Sequence, residues 1–230
     1  LRVAYARLDG EWQDMRGRGP GGTTAWRLGA SLELRQGLDV FGASPDCTAN
    51  PAVCAGAGVV PPSLILGSPT ATVLRFTGLA ELRVARKLTL AVQPRGQIAS
   101  GALFGFERFA LGNYTVGRGY DPGVLTGDDG AAFNTELRHD PITVSEDWKL
   151  AAQPYVFVDA GWAWSRALGA GAINPVSLVS AGGGGRLVFS DRARLDVGGA
   201  IALKDAGPTR AGDVRLLVTL TTRLLPWRTR

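Results

Sequence analysis

The sequence predicts an all-β fold of antiparallel strands, and three observations lead to this prediction. Apolar and polar side chains alternate with a period of two along most of the 230 residues, which puts them on opposite faces of a strand. Short turns alternate with long loops. Hydrophobic residues make up 45% of the chain and glycine is frequent, at 32 residues, so the composition is that of an ordered protein with many tight backbone positions.

About nine strand segments carry the alternation. In the second of them, the alternate residues from Trp26 to Leu34 are apolar, whereas those from Arg27 to Arg35 are polar or glycine. The segment lengths are close to the value of about 9–11 residues that a tilted strand needs to cross a bilayer. The predicted segments are residues 1–8, 23–38, 71–85, 87–100, 131–140, 148–164, 176–190, 192–204 and 213–225.

The connections between these segments alternate in length. The turns at residues 85–87 and 190–192 are short, whereas residues 39–70, 101–130 and 165–175 form long loops. Short turns at one end of the strands and long loops at the other are typical of outer-membrane barrels. The sequence has no run of eighteen apolar residues from which a transmembrane helix could form, but an alternating transmembrane strand does not need one.

A soluble β-sandwich is the alternative to a membrane barrel, because its strands also alternate. Two features favour the barrel. The polar face is rich in arginine with interspersed Glu and Asp, which suits a confined lumen of paired charges. Tryptophans also fall near the ends of segments, where an interfacial aromatic girdle would lie. These tryptophans are Trp26, Trp148, Trp162, Trp164 and Trp227.

The two cysteines predict a disulfide. Cys47 and Cys54 lie in a proline-containing loop with six residues between them, and a disulfide can close a loop of this length. No second pair of cysteines is present to complete a zinc site, and the single histidine, His139, disfavours a multi-histidine metal site. A Cys47–Cys54 disulfide implies an oxidising compartment; two free thiols are the alternative.

The most specific pattern is an ordered set of motifs over residues 93–138, followed by a second strand motif. This set resembles the barrel of the two-partner-secretion transporters, the haemolysin and haemagglutinin secretion-activation family of outer-membrane proteins. The matching pieces are Gly-Gln-Ile-Ala at 96–99, Glu-Arg-Phe-Ala-Leu-Gly at 107–112, Arg-Gly-Tyr at 118–120, Gly-Asp at 127–128, Glu-Leu-Arg at 136–138 and Phe-Val-Asp-Ala-Gly at 157–161.

The resemblance covers essentially the whole chain and implies a sixteen-stranded antiparallel transmembrane β-barrel preceded by two periplasmic domains. Five predicted segments follow the loop at 101–130 and about four precede it. We therefore expect residues 1–230 to be the C-terminal part of the barrel domain, with about nine strands, and to lack the first seven strands and the periplasmic domains. The resemblance also implies a location in the outer membrane of a Gram-negative bacterium.

The loop at 101–130 is far longer than a hairpin needs, and its glycines permit a folded path into a lumen. Because Phe157 and Asp159 are two residues apart on a strand, they share one face. We predict that Asp159 points into the lumen and binds Arg118 as a bidentate partner, which pins the loop in one geometry. The residues of this predicted loop pin are Arg118, Gly119, Tyr120, Phe157, Asp159 and Gly161.

Four more charged residues are predicted to form a lumenal charge network. Glu136 and Arg138 share a polar face with Asn134 on the strand that leaves the loop, and Glu107 and Arg108 lie within the loop. An ordinary set of satisfied ion pairs is the alternative for these four residues. The glycines at 182–185 do not form a phosphate-binding loop, because no Lys-Ser/Thr follows them; they are expected to give a smooth wall where another element packs closely.

Three functions remain open on this reading. The first is an outer-membrane pore that translocates a large unfolded partner protein, of the haemolysin or adhesin type, from the periplasm to the cell surface. The second is an insertase that assembles other barrel proteins, and the third is a soluble β-sandwich binding module. Secretion is favoured, with the cargo protein, outer-membrane lipid and the barrel-assembly machinery as partners.

Several other activities are not expected. No pair of a nucleophile and a base is visible, so the chain is not predicted to be an enzyme, and no cofactor or metal is expected. The net charge is +5, from 25 Lys and Arg against 20 Asp and Glu. The arginines alternate along strands instead of clustering with exposed aromatic residues, so no nucleic-acid partner is expected.

Overall fold

The computed structural model describes residues 1–14, 25–48, 50–54, 62–112, 116–166, 175–190 and 192–222. Its helical segments in these ranges are two 3-10 turns, Pro51–Cys54 and Gly105–Glu107. No described helix is long and apolar enough to cross a membrane. The strands are β1 (Val3–Gln13), β2 (Trp26–Gly37), β3 (Thr72–Ala85), β4 (Leu88–Ala99), β5 (Phe109–Leu111), β6 (Leu125–Gly127), β7 (Asp129–His139), β8 (Ile142–Ser145), β9 (Leu150–Trp164), β10 (Val176–Phe189), β11 (Ala193–Ala202) and β12 (Val214–Thr222).

Ten of these strands form one antiparallel sheet, which we call the wall. Its order is β1-β2-β3-β4-β7-β9-β10-β11-β12, and β8 pairs with β9 beside this path. Strands β5 and β6 form a separate hairpin. In the register of the wall, Glu136 lies opposite Phe157, and Asp159 lies opposite Ser180. Along each strand, residues two apart face the same side of the sheet. Directly opposed residues of neighbouring strands also share a side, so their side chains form rows across the wall.

The outer face of the wall is apolar and exposed. On β2 and β9, for example, Leu32, Leu34, Val156 and Val158 all expose a large part of their side chains. Monomeric soluble proteins rarely expose contiguous apolar surface on this scale. The β-sandwich alternative does not fit, because no second sheet among the described residues packs against these rows. The other exposed apolar residues of this face include Leu8, Trp12, Leu28, Leu74, Phe76, Leu82, Val84, Ile98, Val197, Ile201, Leu216, Val218 and Leu220.

The opposite, inner face of the wall is covered in part by residues 100–112 and 116–128, which we call the inner loop. This segment contains β5 and β6 and packs on β7, β9, β10 and β11. Apolar side chains fill the space between the inner loop and the wall, and burying them holds the loop in place. The buried cluster comprises Phe109, Leu111, Val116 and Tyr120 from the loop, with Ala132, Ala163, Leu178, Ala202 and Ala206 facing it.

The prediction of an all-β antiparallel fold is confirmed, and each of the nine predicted segments corresponds to one long strand. Three details differ. Strand β1 continues to Gln13, well beyond the predicted end at residue 8. The short strand β8 and the β5–β6 hairpin were not predicted, because segments of three or four residues are too short to show a periodicity. Residues 23–24, 191 and 223–225 of the predicted segments and turns lie outside the described residues, as does Trp227 of the predicted aromatic girdle.

Candidate functional site: the tip of the inner loop

The inner loop places Arg118 directly on Asp159 of β9. The Nε of Arg118 lies 3.1 Å from Oδ2 of Asp159, and its Nη2 lies 2.9 Å from Oδ1. The backbone N–H of Arg118 also donates to Oδ2, at 3.0 Å. The carboxylate of Asp159 is fully buried, at 0% exposure. This bidentate pair with a third bond from the backbone fixes both the position and the orientation of the loop tip.

A second carboxylate and an aromatic ring complete the surroundings of Arg118. Its Nη1 donates to Oε1 of Glu136 on β7, at 2.6 Å. The guanidinium carbon stands 3.4 Å from the centroid of the Phe157 ring, which is a cation–π geometry. The charge of Arg118 is thus met by two carboxylates and one aromatic face, which offsets the cost of removing it from water.

Glu136 is the centre of a wider ionic network on the inner face. Besides Arg118, its carboxylate accepts from Nη2 of Arg186 at 2.8 Å and from Nε of Arg138 at 2.7 Å. Arg138 continues to Glu81 on β3, at 2.9 Å, and Arg186 continues to Asp196 on β11, at 3.0 Å. Together with Asp159, the network therefore joins the loop tip to five strands of the wall, β3, β7, β9, β10 and β11.

The glycines of β10 make room for the rings on which the arginines stack. A Cβ at Gly182 would lie 2.6 Å from the Phe157 ring, and one at Gly184 would lie 2.8 Å from the hydroxyl of Tyr155. The guanidinium of Arg186 stands 4.2 Å from the centroid of the Tyr155 ring. On this part of the wall a glycine floor, an aromatic ring and a guanidinium therefore lie one above the other.

The glycines on either side of Arg118 have two different physical roles. Gly117 has a φ of +98°, a conformation that residues with a Cβ rarely adopt. Gly119 allows close approach, because a Cβ there would lie 3.0 Å from both the backbone N of Ala202 and the Cβ of Ser180. Gly161, further along the wall, leaves space for Leu111 of the inner loop, whose side chain would lie 2.6 Å from a Cβ at that position.

Tyr120 anchors the loop tip at its other side. Its side chain is fully buried, and its hydroxyl lies 2.7 Å from the carbonyl oxygens of Val179 and Lys204, to one of which it donates. The backbone N–H of Lys204 donates back to the hydroxyl at 3.2 Å. The Arg-Gly-Tyr motif thus contacts β9 through its arginine, and β10 and β11 through its glycine and tyrosine.

The start of the inner loop is held by a separate ionic cluster. Glu107 accepts a bidentate pair from Arg35 of β2, at 3.0 and 2.8 Å, and a further bond from Arg75 of β3, at 2.9 Å. Gln97 of β4 donates to the backbone carbonyl of Glu107 at 3.1 Å. Glu107 therefore joins the loop to β2, β3 and β4, while Glu136 and Arg138 belong to the cluster at Arg118.

Arg108 belongs to a third group, which organises the end of the inner loop. Its Nε lies 3.6 Å from Oδ1 of Asp128, and its Nη2 donates to Ser165. Asp128 is itself buried and accepts the backbone N–H groups of Leu103 and Arg166, at 2.8 and 2.7 Å. The four residues of the predicted charge network are therefore distributed over three groups of contacts.

Two features lie away from the inner loop tip. Cys47 and Cys54 form the predicted disulfide, which is confirmed, in the loop between β2 and β3. At the opposite end of the wall, in the turn after β7, the guanidinium of Arg83 hydrogen bonds the carboxylate of Asp140 and lowers the pKa of that group. No group of His, Cys, Asp and Glu side chains suited to a metal ion is found among the described residues.

Sequence reasoning did not identify Arg35, Arg75, Gln97, Tyr155, Arg186 and Asp196 as members of these clusters. Gln97 lay in a recognised motif and Arg35 on the predicted polar face of the second segment, which was the available signal. Alternation indicates on which face of the sheet a side chain lies. It does not give the register between strands, which decides the residues of other strands that the side chain can reach. Their partners could therefore not be assigned.

Comparisons with known proteins found a matching family model and solved structures with a similar fold. A family model described as haemolysin secretion/activation protein ShlB/FhaC/HecB matches residues 22–187, more than half of the chain. CdiB from Escherichia coli superimposes with a TM-score of 0.63 at 12% identity, over 86% of this chain and 34% of that one. CdiB from Acinetobacter baumannii gives 0.60 at 19% identity, over 96% of this chain and 34% of that one. A search of the curated proteins found no match. The chain thus spans about a third of the length of these two structures.

Proposed function

The chain belongs to the haemolysin secretion/activation family ShlB/FhaC/HecB, and from this premise we propose that it is part of an outer-membrane pore for protein secretion. Its cargo is a large unfolded partner protein, of the haemolysin or adhesin type, that passes from the periplasm to the cell surface. In this proposal residues 1–230 are the C-terminal part of a sixteen-stranded barrel. The inner face of the wall then lines the lumen, and the barrel-assembly machinery inserts the protein into the outer membrane of a Gram-negative bacterium.

The exposed outer face supports a location in lipid. Alternate residues of β12, for example, are apolar and largely exposed, from Val214 to Leu220. Each such side chain gains about 25 cal/mol per Å² of apolar area when it leaves water, and a bilayer provides that environment. The strands between β1 and β12 pair with a neighbour on each side through backbone hydrogen bonds, as a strand in hydrocarbon requires, and in this proposal the remaining strands of the barrel complete the pairing of β1 and β12.

The contact between Arg118 and Asp159 is the observation that carries the proposal. It ties the tip of a long loop to the inner face by a buried, bidentate ion pair, and the loop therefore occupies space that a translocated chain would need. A loop held by ionic contacts to several strands has one defined position, and cargo can displace the loop from it. The mixed charges of the inner face would hold an extended chain only weakly, which favours transit over trapping.

The test replaces Arg118 in the full-length transporter and measures cargo at the cell surface. We expect Arg118→Ala to reduce secretion about tenfold or more, since leaving Asp159 buried without its partner costs on the order of 3–5 kcal/mol. Arg118→Lys keeps the charge but not the bidentate geometry, so we expect an intermediate loss. The matched control is Arg194→Ala, which removes a half-exposed arginine of the inner face.

The amount of transporter in the outer membrane is measured in the same cells. Normal insertion with low secretion by Arg118→Ala supports the proposal, and normal secretion by this variant contradicts it. The alternative function, an insertase for other barrel proteins, predicts a fall in the amounts of unrelated outer-membrane barrels when the gene is deleted. We favour secretion because the matched family is described by secretion and activation of haemolysin.

A further inference from the structure

One arginine of the wall differs from all the others in the described strands. Each of the others lies within ion-pair distance of a carboxylate; they are Arg7, Arg27, Arg35, Arg75, Arg83, Arg138, Arg186, Arg194 and Arg215. Arg95 of β4 has no carboxylate partner among the described residues. Its register neighbours are Thr77 and Ala132, and its guanidinium stands 5.5 Å from the centroid of the Phe109 ring.

Arg95 faces a cleft of about 240 Å³ between the wall and the inner loop. Arg75 and Arg108 line the same cleft, and Phe106 and Phe109 form an aromatic side. No Asp or Glu is among the described residues that line it. The guanidinium of Arg75 is occupied by Glu107 and Gln97, and that of Arg108 lies beside Asp128 and donates to Ser165. Arg95 is therefore the one arginine of the cleft without a carboxylate partner in the described part of the chain.

We propose that the cleft at Arg95 is a binding site for a carboxylate, and that the ligand is an acidic side chain of the unfolded protein in transit. An uncompensated guanidinium beside two further arginines favours an anion, and its planar donors match the two oxygens of a carboxylate. Phe106 is 67% exposed beside it and offers an apolar surface for a neighbouring cargo side chain.

The position of the cleft gives this site a role in translocation. It lies against residues 106–110 of the inner loop, so an acidic residue bound there contacts both the wall and the loop that occupies the lumen. Cargo with acidic residues is therefore held transiently at the loop, and the site selects for such segments. This inference rests on the proposed function.

The test measures binding of two labelled, extended peptides to the full-length transporter in detergent by fluorescence anisotropy. One peptide alternates Glu and Ser, and the other alternates Gln and Ser. The variant is Arg95→Gln, and the matched control is Arg7→Gln, which also removes one positive charge from the inner face but from an arginine already paired with Asp9. Secretion of the natural cargo by the wild-type protein is measured in parallel.

We expect Arg95→Gln to weaken binding of the Glu peptide about tenfold, which is about 1.4 kcal/mol, because the peptide carboxylate loses a charge-assisted hydrogen-bond partner. Binding of the Gln peptide should not change, and Arg7→Gln should weaken the Glu peptide much less. Equal weakening by both variants, or none by either, overturns the site. If the wild-type protein secretes no cargo, the proposed function fails instead, whatever the peptides do.

Discussion

The two halves of the inner face differ in how they hold their charges. On β9 and β10 the inner loop covers the wall, and Phe157, Asp159 and Ser180 are buried almost completely. On β1 the ion pair of Arg7 and Asp9 leaves both side chains more than half exposed, at 53% and 60%. The same residue types, on strands with the same alternation, thus form a desolvated cluster in one half and solvated pairs in the other.

This difference shows that burial under the inner loop, and not pairing alone, determines how strongly an ion pair affects the free energy of unfolding. Pairs in water contribute little, because solvent screens them and their side chains lose conformational freedom. A pair such as Arg118 and Asp159 is expensive to bury, and its main effect is to make one geometry much better than any other. Each half therefore predicts a different response to the same substitution.

Removal of one carboxylate from each half should give the largest contrast. Asp159→Ala leaves Arg118 without its bidentate partner, and we expect a loss of about 3–5 kcal/mol in unfolding free energy. Asp9→Ala removes an exposed partner of Arg7, and its unfolding should be indistinguishable from that of the wild type. Urea unfolding of the full-length protein in detergent, followed by tryptophan fluorescence, checks both.

The double variant Arg118→Ala/Asp159→Ala sharpens this test. Because the double variant also removes the guanidinium that Asp159→Ala leaves without its bidentate partner, it should be more stable than Asp159→Ala although it lacks more atoms. Equal effects of Asp159→Ala and Asp9→Ala would contradict the contrast between the covered and the open half.

A methyl group added to the covered half should have a smaller effect. Gly119→Ala places a Cβ 3.0 Å from backbone and side-chain atoms of β10 and β11, and we expect a cost of about 1–3 kcal/mol. The matched control is Gly185→Ala, where no atom lies within 4 Å of the added Cβ. The same urea unfolding applies. A neutral Gly119→Ala would mean that the loop tip does not lie against the wall.

The sequence predicted the parts of the molecule that depend on local periodicity. Long strands such as β2 and β9 can be recognised from the sequence, because one of their faces must be apolar over the whole length of the strand. The same rule put Phe157 and Asp159 on one face, and the motif at 118–120 supplied the loop arginine. The structure brings these residues together, but their part in secretion stays a prediction.

The features that were not predicted depend on which residues of different strands lie opposite or close to one another. Glu107 finds its partners on β2 and β3, where Arg35 and Arg75 lie, and nothing in the local sequence reports that proximity. Arg186 and Asp196 meet because the turn between β10 and β11 sets their register, which opposes them directly. Three-residue strands such as β5 and β6 form because the wall positions them, so their own sequence carries little signal.

The tip of the inner loop lies against β9 and β10 on the inner face of the wall, and a cysteine cross-link can test this placement. The double variant Gly119→Cys/Ser180→Cys is oxidised mildly in outer membranes, where Cys47 and Cys54 are already paired; Gly119→Cys/Gly185→Cys is the control. A Cβ at position 119 would lie 3.0 Å from that of Ser180, close to the separation of about 3.5–4.5 Å in disulfides. We predict a high yield of the first cross-link and little of the control. Free thiols at both 119 and 180 after oxidation, in protein that is correctly inserted, would contradict this placement.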